Sequence, residues 1–179
     1  MKQVLLLIDI QNDYFPNGKM ELTNSISAGE NAKKVLQKFR DNNDFIIHIQ
    51  HIATRPDAAF FLPDTYGSEI HPLVEPENDE KIIIKHFPNS FQQTELLEYL
   101  QKNNIQKLII AGMMTHMCVE STARAAKDLG FIIEIVGDAC ATKDLEINNR
   151  TVKAEDVQTA FLSALSYYYS DITETSDYV

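Results

Sequence analysis

Cysteine is scarce in this chain: Cys118 and Cys140 are the only two. That excludes a small secreted domain stapled by disulfides, and no export signal precedes them. Both are expected to be reduced thiols in the cytoplasm. Long apolar runs are also missing, since no stretch approaches the ~20 residues that span a bilayer. The opening "MKQVLLLIDI" is apolar only briefly, contains Asp9 and lacks a small-residue cleavage site, so it reads as a strand. No Lys/Arg cluster offsets a net charge of −10, which argues against nucleic acid or an anionic membrane as partner. There is no internal repeat, low-complexity tract or Gly/Ser linker. The 179 residues, 44% hydrophobic and 23% charged, therefore read as one soluble domain spanning 1–179.

What is present is a rhythm. The runs "QVLLLIDI", "FIIHIQ", "KIIIK", "KLIIAG" and "FIIEIV" are rich in Ile, Leu and Val, and each is too short for a typical helix. Near-continuous apolar runs predict parallel strands buried on both faces. Helical periods lie between most of them, over 27–42, 92–103, 118–129 and 154–168. The first puts Ala28, Ala32, Val35, Leu36 and Phe39 on one face, and the second Leu96, Leu97 and Leu100. A last short strand is expected near "SDITE". The alternation predicts an α/β fold: a three-layer α/β/α sandwich around a doubly wound, mainly parallel sheet.

Residues 53–80 break the rhythm. They show no period and hold four of the six prolines. A loop of that length in a compact domain is usually functional or a misread element. It is expected to be a partly ordered excursion over the site; a structured edge crossover with a short helix is the alternative.

Ligands of open α/β sheets bind beyond the carboxyl ends of the strands. There the first run ends in Asp9, the third in Lys85, and the fourth leads through a tight turn to Cys118. A thiol titrates near ~8.5 and an aspartate near ~3.9, so Asp9 alone is a poor base for Cys118. A lysine between them stabilises both anions, and a helix starting near Cys118 adds to this. With the thiol pKa so lowered, Asp9 could take its proton and return it to a leaving amine. Each residue also has a plainer reading. Asp9 could mark a strand exit or bind a cation, Lys85 could be a surface charge, and Cys118 could be an inert core thiol. Pattern alone leaves both readings standing.

The motifs go further. "LLLIDIQNDY" resembles the opening D-x-Q-x-D motif of isochorismatase-like cysteine hydrolases, and "IIIKHFPNSFQQTELLEYL" resembles their lysine motif. "IIAGMMTHMCVESTARAAKDLGF" resembles their nucleophile motif, and "VGDACAT" and "TAFLSALSYYYSDITET" resemble the stretches that follow. The likeness runs almost end to end and in order. It implies a six-stranded sheet and an Asp9–Lys85–Cys118 triad. It also implies a cis peptide at Met113–Met114 and an oxyanion hole from the N–H groups of Met114 and Cys118. The activity implied is thioester-mediated hydrolysis of a small-molecule amide, by a homodimer or homotetramer. Vinyl-ether hydrolysis of isochorismate, nicotinamidase activity and a non-catalytic fold member are the alternatives.

Metal-binding relatives of the nicotinamidase type carry Asp-x-His after the second strand. This chain reads "IQHIAT", with His51 near the Asp and Ala53 near the His, so the pair is broken. His48 does not repair it, because three-residue spacing puts His48 and His51 on opposite faces of a strand. No metal and no cofactor are expected. Gln11, Phe15, Phe87, Phe91 and Thr115 are the expected substrate contacts. Gln11 could equally bond local backbone, and the aromatics could be ordinary packing. His71 and His86 are expected at the rim, Arg124 in a structural ion pair, and His116 against substrate or a second subunit.

Overall fold

The structure is a computed structural model that describes residues 1–77 and 79–179; Asn78, inside the aperiodic segment, lies outside the described residues. The apolar runs form β1 (Gln3–Ile8), β2 (Phe45–His51), β3 (Lys81–Lys85), β4 (Lys107–Met113) and β5 (Ile132–Ala141). The helical periods form α1 (Ser25–Asp41), α2 (Leu96–Lys102), α3 (Glu120–Asp128) and α4 (Ala154–Ser166). Between β5 and α4 stand two short strands, β6 (Leu145–Ile147) and β7 (Arg150–Val152), and β8 (Asp171–Thr173) comes last. The main sheet has the order β3-β2-β1-β4-β5-β8, and every neighbouring pair is parallel.

This order fixes where a site can lie. From β1 the chain winds outward to β2 and β3, then returns to β4 on the other side and winds to β5 and β8. The reversal falls between β1 and β4, and such a switch point opens a crevice at the carboxyl ends of its two strands. Asp9 follows one of these strands and Met114 the other.

The two faces of the sheet are covered unequally. Ala28, Ala32, Val35, Leu36 and Phe39 of α1 pack on one face together with Phe61 and Val74 from the aperiodic segment. Leu96 and Leu100 of α2, Ala123 and Ala126 of α3, and Leu165 of α4 pack on the other. Each large apolar side chain buried in this way contributes roughly 1.5–3 kcal/mol. The 53–80 segment is thus a structured crossover from β2 to β3. Within it are two 3-10 turns, Tyr66–Ser68 and Pro72–Val74, and an isolated bridge from Ile70 to Gln11. Its prolines forbid a long helix, and buried Phe61, Ser68 and Val74 hold it down.

Four expectations need correction. First, β3 is an edge strand and is not buried on both faces: Ile82 and Ile84 are 42% and 54% exposed. Second, α2 begins at Leu96, because Gln93 has a left-handed backbone (φ 55) and the Thr94 hydroxyl accepts the Leu96 N–H at 3.3 Å. Third, Cys118 lies inside a π-helical turn, Thr115–Val119, and α3 starts only at Glu120. Fourth, the β6–β7 hairpin was not anticipated. Asn148 and Asn149 both have positive φ (51 and 59), as a two-residue type I′ connection requires.

Candidate active site

Asp9 is fully buried just past β1, with a left-handed backbone (φ 51) and its N–H donated to Ile49 O at 3.0 Å. Such a conformation is uncommon outside glycine and Asn/Asp, and it re-aims the side chain as the strand ends. Across the switch point, Ile8 pairs with Gly112 of β4. One peptide further on, Met113–Met114 is cis, as the motif likeness implies, and the chain enters the π turn that holds Cys118.

Lys85 comes from further away. β3 and β1 are separated by two strand spacings, about 9–10 Å, with β2 between them. The long lysine stem crosses the end of β2, where Lys85 is in register with His51. Its Nζ reaches Asp9 Oδ2 at 2.8 Å, Phe87 O at 3.0 Å, Pro88 O at 3.2 Å and His51 Nδ1 at 3.2 Å. Cys118 Sγ, an Asp9 carboxylate oxygen and a His51 ring nitrogen all lie within 4.8 Å of one another. The three strand-end residues are therefore brought together, with Asp9 and Lys85 fully buried and Cys118 5% exposed.

The electrostatics follow from this burial. Burial opposes the charge on Lys85, but Asp9 and Cys118 beside it outweigh that, and its pKa is raised. Burial also pushes the Cys118 thiol well above its usual value. The Asp9 charge adds to the rise, and Lys85 offsets only part of it. At rest, then, Cys118 is a neutral thiol beside an Asp9–Lys85 ion pair, and its pKa is raised where the sequence reading expects Lys85 and the helix start to lower it. Asp9 Oδ2 faces the ammonium closely, yet among the described residues neither carboxylate oxygen accepts a well-directed hydrogen bond. Its lone pairs stay open to a proton from the thiol.

The Isochorismatase domain model matches residues 3–176. The chain belongs to the isochorismatase family. The uncharacterized isochorismatase family protein YddQ of Bacillus subtilis is 46% identical over 179 residues, which is 100% of this chain and 99% of that protein. The crystal structure of an isochorismatase from Pseudomonas putida superposes with a TM-score of 0.93 at 30% identity, covering 99% of this chain and 90% of that one. A streptothricin hydrolase of Streptomyces noursei is 29% identical over 143 residues, 80% of this chain and 51% of that enzyme. The protein is an isochorismatase-family hydrolase.

Around the strand-end site, several side chains have partners other than a substrate. Gln11 donates from Nε2 to His51 O at 2.9 Å and to Ser68 O at 2.7 Å, and its Oε1 accepts the His51 N–H at 2.7 Å. Both of its donors are spent on backbone, so Gln11 clamps the end of β2 to the crossover. Phe15 stacks on His71 with centroids 3.6 Å apart, and Phe91 on Phe131 at 6.2 Å. The Thr115 hydroxyl sits 2.7 Å from Gln158 Oε1, tying the π turn to α4. Phe87 supports the site through its carbonyl on Lys85. Arg124 pairs with Glu120 and lies over the Tyr169 ring, while His116 Nδ1 is 2.6 Å from Thr142 Oγ1. His86 Nδ1 lies 2.8 Å from Ile52 O on an exposed ring.

Two site residues went unassigned in the sequence. Tyr14 is buried, and its hydroxyl pKa is raised by burial, with the Asp9 carboxylate adding to the rise. It ends the "DIQNDY" motif, and a buried aromatic with a polar tip was the available signal. His51 is the other. Its ring lies against Phe61, with centroids 5.9 Å apart. A cleft of about 600 Å3, lined by Phe15, Phe60, Tyr66 and His71 among others, runs beside this site without including Asp9, Lys85 or Cys118.

Asp9, His51 and Cys118 are spaced like metal ligands. They do not fit a divalent cation while Lys85 is charged. Its ammonium already stands 2.8 Å from Asp9 and 3.2 Å from His51, and a second cation would meet it at contact distance.

Proposed function

We propose that this protein is a metal-independent cysteine hydrolase that cleaves the C–N bond of a small-molecule amide through a thioester on Cys118. The observation that carries this reading is the fully buried Asp9–Lys85 ion pair beside the Cys118 thiol. A buried ion pair is costly to build and weak as a source of stability, so its presence next to a nucleophile argues for chemistry. The relationship to a hydrolase of streptothricin supports the same direction.

The steps follow from the protonation states at rest. As Cys118 Sγ bonds to the substrate carbonyl carbon, its proton passes to Asp9, and the carbonyl π electrons move to oxygen. Lys85 keeps its charge and compensates the sulfur as it loses its proton. The N–H groups of Met114 and Cys118 receive the oxyanion. Its collapse breaks the C–N bond, and Asp9 delivers the proton to the departing nitrogen. Asp9 then takes a proton from a water as that water attacks the thioester. The C–S bond breaks, Asp9 passes that proton to the departing sulfur so that thiol and carboxylate are both restored, and the carboxylic acid leaves. The fold is α/β, and among the described residues no helix is long and apolar enough to cross a membrane. Two free cysteines suit a reducing, cytoplasmic setting, and a homo-oligomer is part of the same reading.

The test is an ammonia- and amine-release screen over small amides and ureido compounds, with Cys118→Ala as control and mass spectrometry of the acyl-enzyme. A covalent adduct that requires Cys118 is expected. Pyruvate release from isochorismate by Cys118→Ala would overturn the thioester reading.

A further inference from the structure

Lys85 has more acceptors than protons to give. An ammonium carries three N–H donors. Phe87 O and Pro88 O take two, leaving one to face both Asp9 Oδ2 at 2.8 Å and His51 Nδ1 at 3.2 Å. His51 Nδ1 is itself 3.9 Å from Asp9 Oδ2, so two acceptors look at one proton. This requires Nδ1 to be bare, with the ring proton on Nε2.

The surroundings keep the ring neutral. Burial holds the His51 pKa down to about 4, with Asp9 raising it and Lys85, His86 and Arg55 lowering it. The groups facing the ring are Asp9 from the end of β1, Lys85 and His86 from the end of β3, Arg55 from the crossover and Cys118 from the π turn. The ring is also fixed in place. Gln11 grips both the N–H and the C=O of His51, and Phe61 lies against the imidazole.

We propose that His51 is a positioning residue: it draws the third Lys85 N–H partly away from Asp9 and so keeps the carboxylate basic enough to take the Cys118 proton. The inference rests on the thioester reading above and assigns a role to the residue at the broken metal motif. Without His51 the full third N–H falls to Asp9. Asp9 then holds its negative charge more firmly and accepts the thiol proton less readily. Lys85 remains charged and Cys118 remains in place, so substrate binding is untouched.

The experiment uses full-length protein carrying His51→Leu, which removes the acceptor, and His51→Gln, which restores one. Two readouts are taken on each: steady-state kinetics against pH on a substrate from the amide screen, and the pH profile of Cys118 alkylation by iodoacetamide. For His51→Leu a fall in kcat of about 10- to 100-fold is expected, the range associated with weakened general-base catalysis, with KM little changed. The acid limb of kcat/KM moves to lower pH, and alkylation near neutrality slows several-fold. His51→Gln recovers most of both. Thermal melts separate misfolding from these effects, and a Gln variant that folds keeps the test alive if the Leu variant does not. Unchanged acid limb and unchanged alkylation in a folded His51→Leu protein would overturn the proposal, as would failure of the folded Gln variant to recover either. The alkylation arm needs no substrate. A shift there with no amide turnover by the wild type would sustain the role of His51 and defeat the amidase reading instead.

Discussion

Gly112 approaches Ile8 so closely that a Cβ built on it would lie 2.1 Å from the Ile8 carbonyl oxygen. Its φ of 142 is one that side-chain-bearing residues rarely adopt. The consequence is functional. β1 and β4 meet at the topological switch point, and this contact sets how near Asp9 comes to the turn that carries Cys118.

Gly112→Ala is therefore expected to be costly at both levels. The new methyl meets backbone, which cannot swing aside, and the backbone dihedral is itself unfavourable for alanine. A loss of at least about 3 kcal/mol is expected from the two effects together. Where the variant folds, Asp9 moves away from Cys118, and kcat falls by about 100-fold, the scale on which small misplacements act. Chemical denaturation and turnover measure the two losses; wild-type values for both would mean that β1 and β4 tolerate separation.

The Asp9–Lys85 pair predicts a pattern across a double-mutant cycle. Lys85→Met leaves a buried carboxylate without its cation and is expected to cost roughly 3–5 kcal/mol. Asp9→Asn alone strands the ammonium at a similar cost. The double variant Asp9→Asn/Lys85→Met removes both charges from a fully buried site and is expected to regain most of that stability. All three variants lose turnover by about 10^3-fold or more, because the proton acceptor or its counter-charge is gone. Urea denaturation supplies the cycle, and simple additivity would show that the two charges do not interact.

Much of this was legible in the sequence, and the failures share a cause. Asp9, Lys85 and Cys118 could be placed at one edge of the sheet because strand ends follow from short apolar runs, and the motifs singled out the same three residues. A doubly wound, mainly parallel sheet followed from the alternation of elements, while the order β3-β2-β1-β4-β5-β8 comes from the structure alone. The exposed face of β3 was missed because edge position depends on what the crossover covers, not on the residues "KIIIK". The π turn at Cys118 was read as helix because both have nearly the same apolar period. His51 was judged against a metal motif that it breaks. Its contact with Lys85 arises only when β2 and β3 pair in register, at His51 and Lys85.

The resting protonation state of Cys118 is open to a direct test. Burial and Asp9 hold the thiol above its ordinary pKa, so the thiolate fraction grows with pH throughout the neutral range. Alkylation by iodoacetamide is expected to rise about tenfold per pH unit from pH 6 to 9, the slope of a single ionisation, with no plateau. Cys140, also buried with its thiol pushed up to about 12, contributes little, and Cys118→Ala should remove most of the reaction. A plateau between pH 6 and 8 would mean that Lys85 outweighs burial and that a thiolate is present before substrate arrives.

Acid stability should be governed away from the site, where the crossover rejoins the sheet. Glu80 receives Arg40 Nε at 2.7 Å and Nη2 at 2.8 Å, and His48 Nε2 lies 2.8 Å from the same carboxylate. Burial opposes the Glu80 charge, but the hydrogen bonds from Arg40, the Glu77 backbone and His48 prevail and bring its pKa from 4.5 to about 2. A folded-state pKa below the unfolded one stabilises at higher pH. The contribution, up to roughly 3 kcal/mol, is complete above about pH 5 and is lost as pH falls toward 2. His48 acts in the same direction: burial lowers its pKa, so below about pH 6.5 the unfolded chain takes up a proton that the folded chain resists. Glu80→Gln keeps the size of the side chain but cannot accept both Arg40 donors as an anion. It should lower stability at pH 7 by about 2–3 kcal/mol and flatten the dependence between pH 5 and 2. Urea midpoints at pH 7, 5 and 3 measure both effects, and a Gln variant whose midpoints tracked the wild type across that range would place the acid sensitivity elsewhere.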